Sequence, residues 1–240
     1  MLPEAASREI YEAWHTSVES DVSTGDTPWA SLVLRCLNPD DLAERAVLEI
    51  GSGRGELVRR LVDLPRGPRH VVAVDFAQSA VQYGRRRTHG TKGRRVSWAV
   101  GSIQSIPVAD ATFDTVISCE TIEHVVEPMK AMREVHRVLR PGGRLLLTTP
   151  NYLGPMGLYR GYLRVRGRRY TEGGQPICHL TSLPRTLTWM HRAGFTVRAV
   201  EGSGHYLPWP GRPPIAVSSL DSIRVLRWFA LHSLVIADKL

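Results

Sequence analysis

Three glycines at alternate positions, Gly51, Gly53 and Gly55, follow the apolar stub Val47-Leu48-Glu49-Ile50 and lead into a helical run from about Glu56 to Val62. A strand that turns into a helix within a few residues, with its backbone close to a ligand, favours residues that lack a Cβ. The start of the helix directs N–H groups and a partial positive charge at the turn, so an anionic ligand group is expected there. The spacing is G-x-G-x-G. It is neither the G-x-G-x-x-G of dinucleotide enzymes nor a phosphate loop, which needs Gly-Lys-Ser/Thr. Taken alone, the motif also admits a structural bend without a ligand.

The second group with chemistry is a carboxylate. His70-Val71-Val72-Ala73-Val74-Asp75 reads as a buried parallel strand ending in an acid. Asp75 lies about 20 residues beyond the glycines, where nucleotide-binding α/β folds place the acid that accepts hydrogen bonds from ribose hydroxyls. The next residue, Phe76, is suited to packing on an adenine face. The arginine cluster Arg85-Arg86-Arg87 ends the following helix and reads as solvated surface.

Alternating elements must hold these groups in place. Buried strands are expected at Val96–Val100, Thr115–Cys119, Arg144–Thr149 and Phe195–Val200, with helices at about Gln78–Arg87, Pro128–Leu139 and Thr181–Ala193. The pattern gives an α/β, doubly wound, mostly parallel sheet of about seven strands, whose ligands bind at the strands' carboxyl ends. Gly51, Asp75, Ser102 and Cys119 all fall at such ends. Before the first strand, Ala6, Ile10, Trp14 and Val18 recur at four-residue steps, as on one face of an amphipathic helix, and a second helix is expected over Trp29–Leu37.

The ordered motifs from Val47 to Asn151 resemble the class I S-adenosylmethionine-dependent methyltransferases with a Rossmann-like fold. They run from Glu-Ile-Gly-Ser-Gly-Arg-Gly through Phe113-Asp114, Glu123-His124-Val125 and Leu139-Arg140-Pro141-Gly142-Gly143 to Thr149-Pro150-Asn151. The likeness is to the branch typified by the ubiquinone-biosynthesis O-methyltransferases. It implies that Glu49, Gly51, Ser52, Gly53 and Gly55 face the amino-acid part of S-adenosylmethionine, that Asp75 and Phe76 hold its nucleoside, and that Ser102, Ile103, Cys119 and Glu120 complete the cofactor site. Ser102 stands where the family usually has an acid for the adenine amino group. It also implies a helical lid before the first strand and an antiparallel last strand, here Ala230–Lys239 after a helix at Ser218–Trp228. Trp14, His15 and Trp29 either touch ligand from the lid or anchor it.

The expected organisation is therefore a lid over residues 1–44, a cofactor core over 45–151, a substrate cap over 152–180 and the rest of the sheet over 181–240. The cap interrupts the step from strand to helix, and its alternation Leu163-Arg164-Val165-Arg166 suggests an extended arm with arginines on one face. Those arginines hold an anionic group of the acceptor or face water. Contact with an anionic membrane is a weaker reading, because the sequence shows no apolar face beside them. Trp29, Tyr152, Tyr159, Arg160 and Tyr206 are the candidate acceptor contacts. Methyl transfer from a sulfonium is a displacement that mainly demands alignment, and an oxygen acceptor also needs a base. His124 and His179 are the candidates for that base.

Composition bounds the alternatives. The chain has 240 residues, 31 Lys+Arg against 23 Asp+Glu, and only three lysines, at Lys92, Lys130 and Lys239. The scatter of its arginines does not favour a nucleic-acid surface. Cys36, Cys119 and Cys178 have neither zinc nor disulfide spacing, the first residues lack the apolar block of a signal peptide, and no segment reads as a membrane span. The expectation is a cytoplasmic small-molecule methyltransferase, O-directed, taking S-adenosylmethionine and yielding S-adenosylhomocysteine, without a metal. An RNA methyltransferase, a dehydrogenase and a non-catalytic cofactor-binding scaffold are the rival readings.

Overall fold

The computed structural model describes residues 4–17, 27–88, 95–168, 179–207, 209, 212 and 214–240. In chain order these form α1 (Glu4–Ser17), α2 (Pro28–Cys36), α3 (Pro39–Leu42), β1 (Ala46–Ile50), α4 (Glu56–Asp63), β2 (His70–Asp75), α5 (Gln78–Arg87), β3 (Val96–Val100) and β4 (Phe113–Cys119). There follow α6 (Pro128–Val138), β5 (Leu139–Pro150), α7 (Pro155–Val165), α8 (Leu183–Arg192), β6 (Phe195–Ser203), β7 (Tyr206–Leu207), β8 (Ile215–Ala216) and β9 (His232–Lys239). Seven strands make one sheet in the order β3-β2-β1-β4-β5-β9-β6, and β7 pairs with β8 in a separate small hairpin. Only β9 runs against its neighbours, pairing antiparallel with both β5 and β6.

The sheet is buried on both faces because successive side chains of its central strands point to opposite sides. Val47 packs with Leu57, Leu61, Leu32 and Val33 on the face of α2 and α4. Its neighbour Leu48 packs with Met132, Val135 and Met190 on the face of α6 and α8. The strand order reverses between β1 and β4, so the ends of β1, β2 and β4 open into a crevice at the switch point. Ion pairs tie the far edge: Arg144 bridges Asp41 at 2.9 Å and Asp238 at 2.8 Å, and Lys239 donates to the carbonyls of His136 and Leu139 at the end of α6.

Two segments differ from the sequence expectation. Leu163-Arg164-Val165-Arg166 is the end of a helix rather than an extended arm, because Met156 and Leu163, seven residues apart, both pack inward from α7. Residues Ser218–Phe229 form two 3₁₀ turns, Ser218–Ser222 and Arg224–Phe229, instead of one α-helix. Neither turn buries a residue, so no packed face extends them into a longer helix. Arg169, Tyr170, Gly173, Gly174, Pro176, Cys178 and Lys92 lie outside the described residues.

Candidate functional site

Each glycine of the β1–α4 turn answers a different constraint. Gly51 has φ +76°, and a Cβ there would sit 2.1 Å from Oγ1 of Thr121. Gly55 has φ +79°, and its Cβ would stand 2.4 Å from the ring of Trp98. Gly53 also has positive φ, +51°, but its missing side chain would enter open space. The first and third glycines are therefore demanded by protein atoms, and the middle one faces the cavity. Gly55 does not line the cavity, so its role is packing rather than the cofactor contact expected from the sequence.

The amides of the turn are spent within the protein. Gly51 and Ser52 donate to the carbonyl of Val74 at 2.8 and 3.1 Å, Gly53 to a carboxylate oxygen of Asp75 at 2.7 Å, and Gly55 to the carbonyl of Ser52 at 2.9 Å. No nest of free N–H groups remains at these four positions to grip a phosphate, so an anionic ligand group would be met by the first amides of α4 rather than by these four.

Above the turn lies a cavity of about 840 Å³. Its floor carries carboxylates in excess: Glu49 from within β1, Asp75 from the end of β2 and Glu120 just after β4. Glu49 is 3% exposed, and one of its oxygens has no hydrogen-bond partner. Burial, reinforced by the charge of Asp75, pushes its acid well above the ordinary range. Burial also raises Asp75, against the lowering effect of the Ala77 N–H, the nearby His15 and the Gly53 N–H. Glu120 adopts φ +45°, rare for a residue with a side chain, and its amide donates to Thr148. One Glu120 oxygen is buried without a partner, while the other lies 3.2 Å from Nδ1 of His232. Two unpartnered carboxylate oxygens and an unpartnered Ser52 hydroxyl beside Gly53 suit a ligand that brings positive charge and hydrogen-bond donors to this end.

The lid expected from the sequence closes one side. Tyr11, Trp14 and His15 of α1 line the cavity, and so does Trp29 of α2. The helix is tied down by Arg8, which donates to the carbonyl of Phe76 at 3.1 Å, by Glu12, which accepts from the Ser79 amide at 2.9 Å, and by Arg54, which donates to the carbonyl of His15. Phe76 lines the cavity with Tyr11 edge-on to its ring at 6.3 Å and Arg8 over it at 5.5 Å.

The structure brings most of the named residues together and sets others aside. Glu49, Gly51, Ser52, Gly53, Asp75, Phe76, Ser102, Ile103, Cys119, Glu120, His124, Trp29 and Tyr206 all line the cavity. Ser102 accepts from the Gln104 amide at 3.1 Å, and burial raises the Cys119 thiol well above its usual range. His124 meets Tyr11 edge-on at 5.5 Å. His179 is not at the cavity: its Nε2 lies 3.1 Å from the carbonyl of Val126 and its amide donates to Glu123, so it staples the chain after the cap to the turn after β4. Tyr152, Tyr159 and Arg160 are likewise outside. Arg160 covers the Tyr152 ring at 4.8 Å, and Tyr159 stacks on Tyr162 at 6.3 Å. In their place α7 contributes Met156, and the start of β9 contributes His232. No spacing rule points to His232, because it reaches the cavity through the antiparallel insertion of β9 between β5 and β6. Among the described residues no group of three or more His, Cys, Asp or Glu side chains is arranged to hold a metal ion.

Residues 48–147 match a family model described as "Methyltransferase domain". Over 120 residues the chain is 32% identical to the ubiquinone/menaquinone biosynthesis C-methyltransferase UbiE of Paracoccus denitrificans, covering 50% of this chain and 47% of that protein. It is 33% identical over 122 residues to a demethylmenaquinone methyltransferase of Clavibacter sepedonicus, covering 51% and 47%. The chain thus spans about half the length of these curated relatives. Among solved structures, a SAM-dependent methyltransferase from Aquifex aeolicus superposes with TM-score 0.62 at 17% identity over the whole of both chains. The putative methyltransferase complexed with the Trm112 activator in Haloferax volcanii gives 0.67 at 18% identity, covering 95% and 97%. These likenesses show the fold. Residues 48–147 thus match a methyltransferase domain, and over about half its length the chain resembles the ubiquinone-pathway branch of the S-adenosylmethionine-dependent methyltransferases.

Proposed function

We propose that the protein transfers a methyl group from S-adenosylmethionine to a small, largely apolar molecule. The observation that carries this reading is the cluster of buried carboxylates around an open glycine. Glu49 and Glu120 present unpartnered oxygens in the cavity that Gly53 also lines, a setting that repels a pyrophosphate and favours the ammonium and sulfonium of this cofactor. It therefore speaks against the dehydrogenase reading. Asp75, one strand over and bonded to Gly53, is the acceptor for ribose hydroxyls. Phe76 and Ile103 border the nucleoside side. Bound here, the cofactor supplies an electrophilic methyl carbon that a nucleophile displaces from sulfur.

The chain's own part is to align the acceptor, exclude water and take up a proton. Alignment alone supplies roughly 7–11 kcal/mol in a displacement of this kind. Tyr11, Trp14 and Trp29 from the lid, with Met156 and Tyr206 opposite, form an apolar surround for the acceptor. His15, His124 and the Glu120–His232 pair are among the groups at the cavity able to accept a proton. The UbiE relatives are named C-methyltransferases and give no support to the O-directed expectation. We therefore place the transfer at a carbon of an electron-rich ring, such as a hydroquinone. A base that takes the ring hydroxyl proton would raise the carbon's nucleophilicity toward the methyl group; after transfer the methylated carbon would lose its ring proton and the oxygen regain one, for a net release of one proton.

Titration calorimetry with S-adenosylhomocysteine tests the first step: one molecule should bind per folded chain. A folded protein that shows no heat with either form of the cofactor refutes the proposal. Turnover of radiolabelled cofactor with soluble hydroquinones tests the second.

A further inference from the structure

Large exposed apolar side chains are concentrated on one part of the molecule. Of the fifteen in the described residues, twelve fall between Leu153 and Phe229, on α7, the β7–β8 hairpin and the 3₁₀ turns before β9, with Leu180 between them. Helix α7 is the clearest case. Met156 and Leu163 anchor its inner face, yet Leu158, Tyr162 and Val165 form a second apolar stripe on its outer face, with Leu158 78% and Val165 87% exposed. A helix apolar on both sides belongs in a core or against another apolar phase.

These elements adjoin one another. α7 packs against β7, and its first turn sits on the backbone of Phe229, so close that a Cβ on Gly154 would strike that carbonyl. Trp209 beside the hairpin and Trp228 and Phe229 in the second 3₁₀ turn are exposed as well. Tryptophan with aliphatic residues is the composition of surfaces that settle at the boundary between water and acyl chains.

The charge is of one sign. Arg164, Arg166 and Arg168 on and after α7, with Arg212 and Arg224, are exposed. Among the described residues from 151 to 230 the acids are Glu201 and Asp221, held by Arg227 at 2.6 Å and His205 at 2.6 Å. Among the described residues of this stretch both acids are thus engaged, and the exposed arginines outnumber them. The same part of the chain sends Met156, Tyr206 and Pro214 into the cavity wall, so the patch adjoins the cavity.

We infer that this face docks on an anionic lipid bilayer, with Leu158, Tyr162, Val165, Trp209, Trp228 and Phe229 entering the interface and the arginines meeting the headgroups. An apolar acceptor then reaches the cavity from the membrane. The docking step does not depend on the methyl-transfer reading, and its test is separate.

Purified protein is sedimented with vesicles of phosphatidylcholine alone or mixed with phosphatidylglycerol. The expected result is binding to the mixed vesicles that falls as salt is raised. Leu158→Glu with Val165→Glu should weaken it at least tenfold, and Arg164→Gln or Arg168→Gln roughly fivefold each. Val165→Ser, at a nearly fully exposed site, guards against misfolding of the double variant. Thermal unfolding midpoints close to wild type show that the variants are folded. Equal binding to both vesicle types, equal binding by folded variants, or a wild-type dimer that these variants dissociate without any vesicle binding would each overturn the inference.

Discussion

Replacing the three turn glycines one at a time separates ligand contact from packing. An L-residue forced into the left-handed region costs about 1–2 kcal/mol. Gly53→Ala meets only that penalty, since nothing lies within 4 Å of the added carbon. In a chain of this size each 1 kcal/mol lowers the unfolding midpoint by roughly 2–4 °C, so Gly53→Ala should lose about 2–8 °C. Gly55→Ala carries the same penalty plus overpacking against Trp98, a further ~1–3 kcal/mol, for a total drop of roughly 4–20 °C. Binding should rank the other way. The Gly53 methyl occupies space assigned to the cofactor and should weaken S-adenosylhomocysteine at least tenfold, whereas the Gly55 variant, below its melting point, should bind within about threefold of wild type. Differential scanning fluorimetry and titration calorimetry on the same preparations give both readings. Unchanged affinity in Gly53→Ala would show that no ligand approaches the middle of the turn.

Asp75 has a structural task as well, since it accepts from the amides of Gly53 and Ala77. Asp75→Asn should therefore lower both cofactor affinity, by tenfold or more, and the unfolding midpoint, by a few degrees on the scale of one lost hydrogen bond, ~1 kcal/mol; a large affinity loss with no thermal change would deny it the pinning role. His232→Gln should reduce kcat by roughly 10²–10⁴ with KM nearly constant and remove one limb of the pH–rate profile, while undiminished turnover would leave His15 or His124 as the base. Acid stability follows from Asp114, Asp221 and Asp238, whose hydrogen bonds outweigh the opposing effect of burial and hold them below the ordinary range, and from Glu134, lowered first by its bond to Arg137. A lowered folded value gives stability that is present above the unfolded pKa and lost as pH falls through the folded one, so the thermal midpoint should decline below about pH 4. Glu49 and Asp75, both raised, act in the opposite sense, contributing stability that is lost as pH rises through their folded values. A thermal midpoint that climbs steadily between pH 5 and 2 would contradict the dominance of the surface ion pairs, on the scale of the ordinary carboxylate values.

The amino-acid order by itself determined the sheet and its crevice. Continuous β-branched apolar runs such as Val71–Val74 read as buried strands, glycines at 51 and 55 mark a bend that side chains would block, and Asp75 follows at the interval a parallel unit requires. These signals are local, and local signals survive without coordinates. The acceptor side was decided by tertiary structure. Leu163–Arg166 reads as an extended arm until Met156 and Leu163 find a common core on α7, and His179 reads as a base until its ring meets the Val126 carbonyl. His232 joins Glu120 only because β9 enters the sheet between β5 and β6, bringing together residues 112 positions apart. Which side chains share a cavity depends on pairings over such separations, and no periodicity along the chain encodes them.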